Sequence, residues 1–164
     1  KELIIVTNHK NEFFKKNNLV TVNDCLKGQL GPLVGILTAM KWAKEKSTRY
    51  NWIATFPCDT PFFPENIITK FIEESKKKES LILSATSHGR KHNIFGLWSL
   101  DLYDKLYNDL VNNKIRKVQD WTKENNIKNL EFEFKDYDPF FNINTLEDLK
   151  FAKKLSLKIN EQKK

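Results

Sequence analysis

Cysteine is nearly absent: Cys25 and Cys58 are the only two in 164 residues. Two thiols cannot build a disulfide framework. Their spacing fits no zinc pattern with His9, His88 or His92 either. Reduced thiols in a cytoplasmic protein are the expectation. No apolar run is long enough to span a bilayer, and no signal-peptide pattern opens the chain. A membrane partner is therefore not expected. Internal repeats, linkers and low-complexity segments are lacking too, which leaves a single domain over residues 1–164. The chain opens on Lys1, with a strand already under way at Leu3. The expectation is that a real N-terminal segment is missing ahead of it.

Core-forming residues are plentiful. Apolar residues make up 40% of the chain, with twelve Phe and four Trp, which argues for a globular protein and against disorder. A domain of this length buries roughly 68–70% of its unfolded surface. The formal net charge is +7. The lysines are scattered, apart from a short run at 76–78 and the tail at 163–164. A solvated surface explains that pattern, and no RNA-binding signature accompanies it. Nucleic acid is not an expected partner.

Residues 3–7 form a short apolar run, read as a buried strand, and residues 11–16 a short helix. Residues 19–22 form a second strand, closed by Asn23 and Asp24. Pro32 suits the first position of a helix, where its missing N–H costs nothing. Leu33, Ile36, Leu37 and Met40 then recur at helical spacing. Residues 52–56 are a continuous apolar strand of the kind found inside parallel sheets. Pro64 again reads as a first-turn proline, opening a helix to about residue 77. Residues 81–86 and 93–98 predict two strands, separated by a polar stretch at 87–92. Helices are expected near 100–111 and 117–125. Residues 130–134 alternate as a half-exposed edge strand would. Thr145 and Asp148 resemble a capping box ahead of a last helix at 146–159. Strands alternating with helices predict an α/β fold, a mostly parallel sheet with helices on both faces.

In such sheets ligands collect beyond the carboxyl ends of the strands. Three loops qualify: from Asn8, from Asp24 to Gly31, and from Pro57 to Thr60. If their strands are parallel neighbours, the loops share one crevice. Asp59 is the sharpest candidate, because one carboxylate at a strand end suffices for Mg²⁺ when water and substrate phosphate complete its shell. A turn aspartate in Asp-Thr-Pro is the plainer alternative. Gly31-Pro32-Leu33-Val34-Gly35 opens a helix whose N-terminus suits an anion. The same residues also make an ordinary helix start, with Gly35 packed against a strand. Asp24 and Asn8 could meet ribose, a base edge, or only their own turns. Asn144 has a structural use near the helix cap, whereas Asn142 has none. Arg90, His92, Arg116 and Lys117 are the basic residues placed nearest an acidic ligand, each with a surface or structural reading beside it.

Three pieces line up in order. Asp24 precedes Gly-Pro-Leu-Val-Gly by seven residues. Phe-Pro-Cys-Asp-Thr-Pro-Phe occupies 56–62, and Phe-Asn-Ile-Asn-Thr-Leu-Glu-Asp-Leu occupies 141–149. As an ordered set they resemble the molybdenum cofactor guanylyltransferase family over roughly residues 3–153. The resemblance implies a Rossmann-like three-layer sandwich. It also implies an enzyme, a nucleotidyltransferase moving GMP from GTP to molybdopterin with release of pyrophosphate. Asp59 would bind Mg²⁺ and be the catalytic residue. Nucleotide binding would fall to Asn8, Asp24, Gly31, Leu33 and Asp59, and pterin binding to His92, Asn142 and Asn144. Transient contacts with cofactor-biosynthesis proteins and Mo-enzyme targets are implied as well.

Two departures stand out. The family opens with Leu-Ala-Gly-Gly, then Arg-Met-Gly and a Lys, on a loop around the triphosphate, and none of this precedes Lys1. Relatives have His-Pro-Thr where this chain has His92-Asn93-Ile94, so His92 fits and the next two residues do not. By this resemblance the terminal phosphate of molybdopterin attacks the α-phosphorus of GTP. Already ionised, it needs no general base. Other readings are a cytidylyl or sugar-phosphate nucleotidyltransferase, and a non-catalytic module binding pterin or a partner.

Overall fold

The computed structural model describes residues 2–9, 11–28 and 30–162. β1 (Ile4–Val6) and β2 (Val20–Val22) pair in parallel, Ile4 beside Val20 and Val6 beside Val22. Between them α1 (Glu12–Lys16) starts where the Asn11 side chain accepts the Phe13 N–H at 2.9 Å. This is a standard N-cap. α2 (Pro32–Lys46) follows, with Pro32 at its first position as expected and Lys44 and Lys46 in its last turn.

β3 (Trp52–Thr55), β4 (Ile82–Ser87), β5 (Arg90–Ser99) and β6 (Ile127–Glu131) form a second sheet in the order β3-β5-β4-β6. β4 and β6 run parallel, while β5 runs against both β3 and β4. Three of the four strands thus share a direction. The remaining elements are α3 (Ile67–Ser75), a 3₁₀ turn at Leu100–Leu102, α4 (Tyr103–Val111), α5 (Val118–Lys123) and α6 (Leu146–Gln162).

Register separates two cores. Ile53, Trp98, Ile82 and Ile127 stand in one cross-strand row. They face Leu33, Ile36, Leu37 and Met40 of α2, Leu106 and Leu110 of α4, and Trp121 of α5. The next row, Ala54, Leu97 and Leu83, faces Ile67 and Phe71 of α3 together with Phe95, Phe132 and Phe140. Alternate side chains of a strand point to opposite faces, so the sheet carries helices on both sides. That is the expected α/β sandwich.

Local differences have physical causes. β3 is not flanked by a parallel neighbour: its ladder partner is antiparallel β5. The polar stretch at 87–92 is mostly strand, because only His88 and Gly89 turn the chain. Both have positive φ, 46° and 78°, and Ser87 pairs with Arg90 across them. Two such residues make the tight hairpin turn whose twist matches the strands. β6 starts three residues before the alternating run, at Ile127, since its partner is parallel β4. Pro64 lies outside α3: its carbonyl accepts the Ile67 N–H at 3.1 Å in a preceding turn. Thr145 and Asp148 do form a capping box, with Asp148 Oδ2 accepting the Thr145 N–H at 2.9 Å and Thr145 Oγ1 accepting the Asp148 N–H at 3.1 Å. No helix among the described residues is long and apolar enough to cross a membrane.

Candidate functional site

Asn8 and Asp24 meet at the ends of β1 and β2. Asn8 Nδ2 donates to Asp24 Oδ2 at 2.8 Å, and the Asp24 N–H donates to Asn8 Oδ1 at 3.0 Å. The parallel register of the two strands sets this pairing, and the Thr7 N–H adds a bond to the Val22 carbonyl at 2.9 Å. One residue on, the Cys25 N–H donates to Thr38 Oγ1 at 2.9 Å, while the Thr38 hydroxyl donates to the Val34 carbonyl at 2.7 Å. Buried Thr38 therefore fastens the Asp24 loop to α2. Sequence reasoning had no signal for it, because a threonine on an apolar helix face looks like a space-filler.

Gly31 precedes α2 at φ 71° and ψ −171°. The residue before a helix presents the helix's first unpaired N–H groups, a ready anion cradle. Leu33 is fully buried in the α2 core. Its side chain is spent on packing, so only its backbone could meet a ligand. A Cβ at Gly35 would meet nothing within 4 Å. The strand packing suggested for that glycine is absent.

Asp59 lies beyond β3, half-buried, in the loop that Phe56 starts. Phe56 stacks on Phe63 at 5.0 Å, closing the loop on an apolar base. Thr60 Oγ1 lies 3.2 Å from Asp59 Oδ1 and 2.8 Å from Asn142 Oδ1. The Ile143 N–H donates to the Asp59 carbonyl at 2.8 Å. Asp59 and Asn142 are thus brought to one place, and Asn142 is exposed there. Asn144 is also exposed, and its N–H donates to Asp148 Oδ2 at 3.0 Å. That N–H heads a set of bonds, completed by the hydroxyl and N–H of Thr145, that holds the Asp148 carboxyl below its ordinary range.

His92 sits deeper. It is 9% exposed, its ring stacks on Phe140 at 4.0 Å, and its Nε2 lies 2.7 Å from Ser87 Oγ. Burial lowers its pKa, Arg90 adds to the lowering, and Asp138 and Glu131 oppose it. Phe140 is fully buried, also meeting Phe95 and Phe132 edge-on at 4.9 and 6.0 Å. This aromatic socket anchors the segment that delivers Asn142. Among the other basic candidates, Arg116 Nη1 donates to the Leu110 and Ile115 carbonyls at 2.6 and 2.9 Å. These bonds cap the end of α4. Exposed Arg90 pairs loosely with Asp138 at 3.9 Å, and Lys117 lies exposed just before α5.

Among the described residues no three His, Cys, Asp or Glu side chains cluster as a metal cage. Mg²⁺ asks for less, one or two carboxylates with water and phosphate oxygens. A half-buried aspartate to which no Lys or Arg among the described residues is bonded offers a hard oxygen donor of that kind.

Nearby folds agree. Molybdopterin-guanine dinucleotide biosynthesis protein A from Archaeoglobus fulgidus superposes with a TM-score of 0.71 at 20% identity, over 94% of this chain and 78% of its own. A 4-diphosphocytidyl-2C-methyl-D-erythritolsynthase from Anaerococcus prevotii gives 0.64 at 15% identity, over 92% and 79%. The chain shares its fold with both. Residues 1–126 match the MobA-like NTP transferase domain, and the chain belongs to that family. It is 35% identical to a molybdenum cofactor guanylyltransferase of Rhizobium rhizogenes, over 83% of this chain and 65% of the relative. It is 34% identical to one of Mesorhizobium japonicum, over 93% and 74%, and 35% identical to one of Haemophilus influenzae, over 91% and 74%. The chain thus spans about two thirds to three quarters of those relatives' length.

Proposed function

We propose that this chain, as one unit over residues 1–164, carries guanylyl transfer from GTP to molybdopterin, releasing pyrophosphate. The supporting observation is the junction at the end of β3, where Thr60, next to Asp59, bonds Asn142 across 82 residues. Two motifs that the sequence keeps far apart, around 56–62 and 141–149, are in contact there.

Family membership points to a divalent metal, and we take it as Mg²⁺ held by Asp59. When bound, the metal would neutralise charge on the phosphates. The protein's own part is positioning and preorganised electrostatics. Asn8, Asp24 and the backbone from Gly31 to Leu33 orient the nucleotide. Asn142 and Asn144 hold the pterin side. His92 contributes there from below, through Phe140. Localisation is taken as cytoplasmic, with cofactor-biosynthesis proteins and Mo-enzymes as transient partners.

Pyrophosphate release with GTP, molybdopterin and Mg²⁺ tests this directly. Asp59→Ala is expected to abolish it, and unchanged turnover would remove Asp59 from the metal role. A panel of GTP, CTP and ATP checks the base, with GTP expected to be preferred.

A further inference from the structure

Thr60 is 1% exposed, and its hydroxyl stands between Asp59 Oδ1 and Asn142 Oδ1. A hydroxyl owns one hydrogen. It cannot donate to Asp59 Oδ1 and Asn142 Oδ1 together. The 2.8 Å contact to Asn142 is the shorter, against 3.2 Å to Asp59. Donation to Asn142 leaves both Asp59 oxygens as acceptors for a cation. It also fixes the Asn142 amide with its carbonyl inward, so its –NH₂ becomes the donor offered to an incoming ligand. The backbone supports this choice. The Ile143 N–H holds the Asp59 carbonyl at 2.8 Å, and the Phe140 N–H bonds Asp138 Oδ1 at 2.9 Å. Main chain on both sides of the hydroxyl is therefore already set.

We infer that Thr60 is a positioning residue: its hydroxyl orients the Asn142 amide and, with the Ile143–Asp59 backbone bond, ties the loop that carries Asp59 to the segment that carries Asn142, joining the nucleotide side of the site to the acceptor side. This rests on the role proposed above for Asp59. Thr60 touches no reacting atom. Partners of this kind, one shell out from a metal, typically change affinity or activity about 10–100-fold when removed.

The test compares Thr60→Val, Thr60→Ser, Asn142→Ala and the Thr60→Val/Asn142→Ala pair in the whole chain. Steady-state GMP transfer is measured with Mg²⁺, and Mn²⁺·GTP binding by calorimetry. Thr60→Val is expected to lower kcat about 10–100-fold and weaken Mn²⁺·GTP binding. Its Tm should shift by less than about 4 °C, because both partners of the hydroxyl reach water. Thr60→Ser restores both readouts. The double variant is no worse than its worse single parent, because one link is removed twice. Parental behaviour in Thr60→Val, equal damage in Thr60→Ser, or additive losses in the pair would each overturn the inference. An unsubstituted chain that transfers no GMP would instead sink the proposed function. Thr60 is then decided by calorimetry alone: weaker binding in Thr60→Val than in Thr60→Ser supports it, and equal or absent binding rejects it.

Discussion

Gly31 and Gly35 share one motif yet respond oppositely to a methyl group. Gly31 holds a backbone conformation nearly closed to side chains, and a Cβ there would lie 3.1 Å from the Arg116 carbonyl. Gly31→Ala is expected to lower stability by about 1–3 kcal/mol in urea unfolding. Gly35 is helical with open space beside it. Gly35→Ala is expected to raise stability by about 0.5–1 kcal/mol in the same measurement. At this scale the sequence was partly legible. Asp59 at a strand end and Asn142 without a capping role were both visible as candidates. Thr38 and Thr60 were not, because their hydroxyls matter only through partners that folding brings to them. Arg116 kept two readings for a related reason: a guanidinium looks the same whether it faces a phosphate or a helix end.

Elements were read well where periodicity was strong and less well where pairing decided the outcome. α2 announced itself through Pro32 and its apolar face. The start of β5 at Arg90 did not, since a polar stretch can be a loop or an exposed hairpin, and only the positive φ at His88 and Gly89 separates them. The start of β6 depends on its parallel register with β4, which no local pattern encodes. α6 begins at a cap the sequence did show. Thr145→Ala is expected to cost about 0.5–2 kcal/mol, seen as faster amide exchange in the first turn of α6. Between α4 and α5, Asp109 accepts from Lys105, Asn113 and Trp121 at 2.8, 2.7 and 2.8 Å. Burial pushes its carboxyl up, but those three donors outweigh burial and hold it below the ordinary range. Asp109→Ala leaves the buried indole N–H unpaired, and a loss of about 1–3 kcal/mol in thermal unfolding is expected.

Across the whole molecule, His92 couples the sheet to the Phe140 socket. Its folded pKa lies below its unfolded value near 6.5. The unfolded chain therefore binds the proton more readily. The stability that His92 contributes is complete above about pH 6.5 and drains away as pH falls through the depressed folded value. Urea midpoints measured from pH 7.5 down to 5 are expected to fall, and His92→Phe should flatten that slope. The α/β architecture itself was legible, because apolar strands alternating with amphipathic helices admit few arrangements. The reunion of residues 59 and 142 was not, since nothing local predicts a meeting over that span.

That span sets an order of events during synthesis. A ribosome adding about 5–20 residues per second takes roughly 4–16 s to travel the 82 residues from Thr60 to Asn142. Once β5 has emerged the chain can pair β3 and form the Asp59 loop, but it still has no amide to set against them. The candidate site is thus a late product of translation, and a nascent chain stalled before residue 140 would be folded in part with that site unassembled.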